Sequence, residues 1–143
     1  MFIGEYAHTI DEKGRLSIPA SFRRKLSKGV VVTRGLDGCL FIYAREAWDE
    51  LAAKVSALPL ASKQSRAFAR LMLAGAREAD VDSQGRVMVP EYLRQYASLR
   101  KHVIVTGLYN RIEVWDEDAW GVYRSAAEQN SEEIAEAMAE LGV

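Results

Sequence analysis

A thirteen-residue pattern occurs twice in this chain, 71 positions apart, and it limits the possible folds more than any local propensity does. Asp11-x-x-Gly14-Arg15-Leu16-x-Ile18-Pro19-x-x-Phe22-Arg23 returns as Asp82-x-x-Gly85-Arg86-Val87-x-Val89-Pro90-x-x-Leu93-Arg94. Five of the thirteen positions are identical and three more exchange one apolar residue for another. With each residue type at about one in twenty, chance gives fewer than one identity. The likeness continues downstream: Val30-Val31-Val32-Thr33 answers Val103-Ile104-Val105-Thr106, and Ile42-Tyr43-x-x-Glu46-Ala47-Trp48 answers Val114-Trp115-x-x-Asp118-Ala119-Trp120. The chain is therefore a tandem duplication of a unit of about 45 residues.

Each unit reads in the same order. A first strand ends at Ile10 or Val81, and an Asp-x-x-Gly-Arg turn follows in which Gly14 or Gly85 takes a positive φ. Alternation in Arg15-Leu16-Ser17-Ile18 and Arg86-Val87-Met88-Val89 predicts a second strand with one buried face. Pro19 and Pro90 suit the first position of a short helix, and two further strands close the unit. The expected fold class is mainly β with α (α+β), with the first unit at 2–48, linking helices at 49–72, the second unit at 73–120 and an acidic helical tail at 121–143. Such small units bury little alone, so the pair should share one pseudo-twofold core that brings the two turns together. The helical stripes, including Ile134, Met138 and Leu141 in the tail, are expected to pack on the chain's own sheets.

Composition narrows the function classes. A length of 143 residues that are 49% apolar suits a single core, and no run reaches the roughly 18 to 20 apolar residues of a membrane helix. The opening MFIGEYAHTIDEKG lacks the pattern of a secretory signal, and a single cysteine, Cys39, fits a reducing cytosol. The net charge of −1 hides two unlike halves: residues 1–71 carry 12 Lys/Arg against 7 Asp/Glu, residues 72–143 carry 7 against 13. Such a total permits a nucleic-acid partner, because a local basic patch sets binding and the sum does not.

No nucleophile, base or orienting triad accompanies Asp11 or Asp82, so no enzyme and no catalytic residue is expected. His8, His102 and Cys39 lack zinc spacing. Asp80-x-Asp82-x-Gln84-Gly85 with Glu91 approaches a calcium loop, but the first copy does not repeat it and Pro90 interrupts it, so no metal or other cofactor is expected. Asp11, Gly14, Asp82, Gly85, Pro19 and Pro90 read as structural turn residues, with each Asp free to pair with the Arg four positions on. The arginines are different. Turn chemistry does not need Arg15 or Arg86, and a planar guanidinium kept in both copies on a solvated strand face suits phosphate or guanine edges. Lys13 adds charge beside the first turn, and Arg23, Arg24 and Arg94 add helix cations.

The doubled Asp-x-x-Gly-Arg-apolar-x-apolar-Pro turn, the opening MFIGEYAHTIDEKGRLSIP and the closing aromatic-x-x-x-Ala-Trp signature resemble the MraZ family, from Phe2 to about Tyr123. The resemblance implies two AbrB-like (SpoVT-type) swapped-hairpin β-barrel units in one chain. It also implies a cytoplasmic, nucleoid-associated regulator of transcription, assembled as a homo-oligomeric ring. The implied partner is double-stranded DNA with G-rich direct repeats upstream of the division and cell-wall gene cluster, with no membrane or small-molecule substrate. The family's Asp-x-x-x-Arg motif falls on Asp11 with Arg15 and on Asp82 with Arg86. The competing readings are a non-catalytic oligomeric scaffold and an AbrB-like antitoxin-type interaction module.

Overall fold

Neither copy of the repeat pairs its first strand with the later strands of its own unit. The computed structural model describes residues 1–143. The first copy supplies β1 (Phe2–Thr9), β2 (Arg15–Ser17), α1 (Ala20–Arg23, continued by a 3-10 turn over Arg24–Leu26), β3 (Val30–Arg34) and β4 (Leu40–Ala44). The linker forms α2 (Arg45–Ser56) and α3 (Lys63–Ala69), the latter running into a π-helical turn over Arg70–Ala74. The second copy supplies β5 (Arg77–Ala79), β6 (Arg86–Met88), α4 (Glu91–Tyr96), β7 (His102–Tyr109) and β8 (Ile112–Asp116). The chain ends in α5 (Glu117–Gln129) and α6 (Ser131–Ala139). Where an acidic helical tail is expected over 121–143, two helices form, the first beginning at Glu117, and Asn130 between them leaves the helical region at φ −109° and ψ 20°.

Six strands make one antiparallel sheet in the order β1-β7-β8-β4-β3-β5, and β2 with β6 makes a separate two-stranded ribbon. The swap is symmetric: β1 lies on β7 with His8 opposite Val103, and β5 lies on β3 with Ala79 opposite Val30. The pseudo-twofold axis passes through two residue pairs, Phe41 with Glu113 in the sheet and Leu16 with Val87 in the ribbon. The mixed α+β class and the shared core expected from the repeat are both present. An Ile10–Leu16 bridge ties ribbon to sheet, so the two enclose one core.

That core is built from inward positions of both units. Leu16, Ile18, Leu26, Leu40, Ile42, Val87, Val89, Leu93 and Ile112 are fully buried in it, each contributing about 1.5–3 kcal/mol of transfer free energy. Pro19 and Pro90 sit one position before the helices, at the N-caps of α1 and α4, where a missing amide hydrogen costs nothing. On the opposite face of the sheet Phe41, Tyr43 and Trp115 cluster with the buried Cys39 just before β4 and with Met72 of the π-helical turn, and Trp48, Leu51, Phe68 and Trp120 pack against them. The repeated aromatic signature thereby gains a physical reason: Tyr43 packs on Trp48 at 5.9 Å and Trp115 on Trp120 at 5.4 Å, one clip per copy. Burial pushes the Cys39 thiol up to about 12, with Glu113 adding to the effect, so it is not a thiolate nucleophile near neutral pH. Trp48 and Leu51 of α2 and Phe68 of α3 pack on the sheet as expected of the linker stripes, but Ile134, Met138 and Leu141 remain exposed, and no residue of α6 is buried. No helix is long and apolar enough to cross a membrane.

Candidate nucleic-acid interface

Both turns are built by one carboxylate each. Asp11 accepts hydrogen bonds from the amides of Lys13 (3.0 Å) and Arg15 (2.9 Å) and from Arg15 Nε (2.6 Å). Asp82 accepts from the amides of Gln84 (2.9 Å) and Arg86 (2.9 Å) and from Arg86 Nε (3.2 Å). The chain reverses at Gly14 (φ +88°) and Gly85 (φ +76°), whose amides donate to the carbonyls of Asp11 and Asp82. Asp at the head of the turn and Gly at its corner thus do what the sequence pattern implies.

The ribbon sets the arginine geometry. Leu16 faces Val87 on the buried side, while Arg15 opposite Met88 and Ser17 opposite Arg86 occupy the outer side. Arg15 and Arg86 are diagonal neighbours on that face, spaced for adjacent contacts on one ligand. Their side chains are 32% and 25% accessible, less than a freely solvated pair, because each donates Nε to its own Asp. Arg86 also places Nη1 3.7 Å from Asp11 of the other copy, while Arg15 has no matching contact with Asp82. Ion pairs this accessible are weak in water, so they orient the guanidinium planes without removing the terminal nitrogens from use.

The carboxyls of Asp11 and Asp82 are held below the ordinary aspartate range, chiefly because the Arg15 and Arg86 amides donate to them. A depressed folded pKa means that the stabilisation is present above the unfolded value, about 3.9, and is lost as pH falls through the folded value. The turns should therefore keep their geometry from pH 8 to pH 5 and loosen only below about pH 4. Amide shifts of Arg15 and Arg86 followed by NMR check this; movement with a midpoint near pH 5 would contradict it.

The other cations expected at the site fall into two sets. Lys13 and Arg24 are exposed at the surface and form no intrachain ion pair, whereas Lys28 pairs with Glu46 at 3.4 Å. Arg23 and Arg94 are less free. Arg23 Nε donates to Ile18 O (2.9 Å) and Arg94 Nε to Val89 O (3.0 Å), and each guanidinium lies across the turn glycine of the opposite copy. A Cβ on Gly85 would overlap the Arg23 head group, and one on Gly14 would stand 3.1 Å from that of Arg94 and 2.8 Å from Val89 O. Gly14 is needed for close approach to the Val89 carbonyl as well as for φ, and Gly85 lies against the Arg23 head group, a crossing between copies that turn chemistry read one copy at a time misses. The available signal was the arginine eight positions beyond Arg15 and again beyond Arg86. Beside the first turn, a cleft of about 580 Å³ is lined by Asp11, Glu12, Arg94, Arg100 and Lys101 among others. Arg100 there is committed to Asp116 and Asp118, at 2.9 and 2.6 Å.

A family model described as "MraZ protein, putative antitoxin-like" matches residues 1–71 and again residues 72–141, one match per copy of this geometry. The chain belongs to the MraZ family. Among its MraZ relatives, the protein of Halothermothrix orenii is 50% identical over 143 residues, covering 100% of both chains, and is named Transcriptional regulator MraZ. That of Ligilactobacillus salivarius, with the same name, is 50% identical over 138 residues, 96% of each chain. The solution structure of PHS018 from Pyrococcus horikoshii is similar over 80% of this chain and 88% of that one, at 16% identity and a TM-score of 0.33, too slight a likeness to carry an argument. The MraZ match spans both turns and the aromatic clips, and its two segments divide the chain within the helical linker.

Proposed function

We propose that this chain is a sequence-specific DNA-binding regulator of transcription that reads guanine in short G-rich direct repeats upstream of the division and cell-wall gene cluster. The observation that carries the reading is the shared outer face of the β2–β6 ribbon, where Arg15 and Arg86 stand side by side. A two-stranded ribbon fits the major groove, and the fork of a guanidinium matches O6 and N7 of guanine. Asp11 and Asp82 grip Nε, which leaves the Nη1/Nη2 edge of Arg15 to meet a base, while that of Arg86 is held only by the 3.7 Å contact of Nη1 with Asp11, weak enough for a base to displace. Lys13 and Arg24 hold backbone phosphates, which position the ribbon without specifying sequence. The protein acts at the nucleoid in the cytoplasm, with DNA and copies of itself as partners and no cofactor.

One chain presents a single arginine pair, so its own affinity is low. A ring of copies facing repeated sites raises it through effective concentration, which suits a chain whose net charge is only −1. Selection of bound fragments from random DNA should return tandem guanine-rich elements; fragments with no shared sequence would remove the reading. Log affinity should also fall linearly with log salt, with a slope of about −0.9 per phosphate neutralised. A flat response between 50 and 200 mM salt (about the range over which such contacts weaken strongly) would exclude the phosphate contacts.

A protein-contact role, as scaffold or antitoxin-type module, draws support from the α6 ridge, where Ile134 is 46%, Met138 37% and Leu141 72% exposed. Retention on heparin separates the two: a scaffold without a cationic face flows through.

A further inference from the structure

We propose that Arg23 and Arg94 are crossed positioning residues, each setting the base-reading arginine of the opposite copy: Arg23 governs Arg86, and Arg94 governs Arg15. The proposal rests on the DNA-reading role given above to Arg15 and Arg86.

The geometry is a pair of reciprocal closed circuits. Gly85 O accepts from Ile18 N at 2.9 Å, Ile18 O accepts from Arg23 Nε at 2.9 Å, and the Arg23 head group lies on Gly85. In the mirror circuit, Gly14 O accepts from Val89 N at 2.8 Å, Val89 O accepts from Arg94 Nε at 3.0 Å, and the Arg94 head group lies on Gly14. Gly85 directly precedes Arg86 and Gly14 directly precedes Arg15. Each guanidinium is therefore anchored in its own unit and pressed against the residue that launches the other unit's recognition arginine. Only a broad head group with an Nε–H does both, since it covers a glycine while its Nε–H donates to a carbonyl. A lysine keeps the charge and loses both features. A phosphate-contact role needs charge alone and has no reason to cross between copies.

The test is a set of double-mutant cycles read by fluorescence anisotropy on a G-rich direct-repeat duplex and on the same duplex with each guanine replaced by adenine. Arg23→Lys should cost about five- to hundredfold in affinity for the G-rich duplex, and little for the adenine duplex, with the salt slope unchanged. Its loss should nearly vanish in the Arg86→Ala background and persist in the Arg15→Ala background; Arg94→Lys should show the reverse. Equal coupling to both arginines, coupling within the same copy, or wild-type affinity of both lysine variants overturns the proposal.

Two-dimensional NMR on the free protein keeps the clasp separate from the DNA reading. Arg23→Lys should move the Gly85 and Arg86 amides more than those of Gly14 and Arg15. If Arg15→Ala and Arg86→Ala both bind like wild type, the DNA reading fails whatever the amides do. If those variants lose binding while Arg23→Lys moves only its own copy's amides, the clasp alone fails.

Discussion

Replacing Arg15 and Arg86 together by alanine should abolish guanine-dependent binding while leaving the fold intact. Each bidentate arginine–guanine contact is worth about 1–3 kcal/mol of discrimination, so losing both removes about 2–6 kcal/mol for each chain engaged. In a ring, that loss is multiplied across the subunits bound at once. The fold should tolerate the change, because both side chains lie on the outer face of the ribbon and the packing beneath comes from Leu16 and Val87. What is lost from the folded state is one accessible Asp–Arg pair per turn, about 0.2–1 kcal/mol each. Anisotropy on guanine and adenine versions of one duplex, alongside a thermal melt, measures both effects. If the double variant keeps its preference for guanine, the two arginines do not read bases. If it loses affinity equally on both duplexes, they act only as charges.

Leu16→Ala should be among the most damaging single truncations, although the residue touches no ligand. Leu16 lies on the pseudo-twofold axis, faces Val87 across the ribbon and is 0% exposed. Its removal leaves a cavity that two β-strands and the facing sheet cannot easily close, and such changes cost about 2–5 kcal/mol. Against a total of about 5–15 kcal/mol, that is a large share. Urea denaturation should show a lower midpoint with an unchanged slope, as expected for lost packing without a change in exposed area. Ile134→Ala, on the exposed ridge of α6, serves as the contrast and should stay within about 0.5 kcal/mol. A Leu16→Ala loss below about 1 kcal/mol would mean that the ribbon is not part of the shared core.

These two expectations separate what the ribbon is made of from what it presents, and only part of that separation is visible in the linear chain. Arg15 and Leu16 are neighbours, and alternation alone assigns one to the surface and one to the core. The partners of each were not legible. The family resemblance implies swapped hairpins, but that Leu16 meets Val87, or that β1 pairs with β7 in this register, depends on how two equivalent units pack, and a repeat does not state its own docking. Arg23 and Arg94 show the same limit. As helix residues beside other cations they read as phosphate contacts, yet the fold seats each on a glycine 62 or 80 positions away, Gly85 or Gly14. The α6 ridge errs in the opposite direction: its helical periodicity is real, but no sheet face is left for it, because α2, α3 and α5 already supply the outer cover.

The sequence by itself determined the duplication, the order of strands and helices in each unit, the conformation of both turns and the outward side of Arg15 and Arg86. All of these depend on neighbours within a few residues, through φ preference, carboxylate-to-amide bonds and strand alternation. Only the tertiary structure decided which strands pair across the units and in what register, that Arg15 and Arg86 stand as diagonal neighbours on one ribbon, and that Arg23 and Arg94 cross to the opposite turn. Those outcomes come from burying two small, incomplete apolar faces against each other, a free energy that belongs to the pair of units and is encoded in neither one alone.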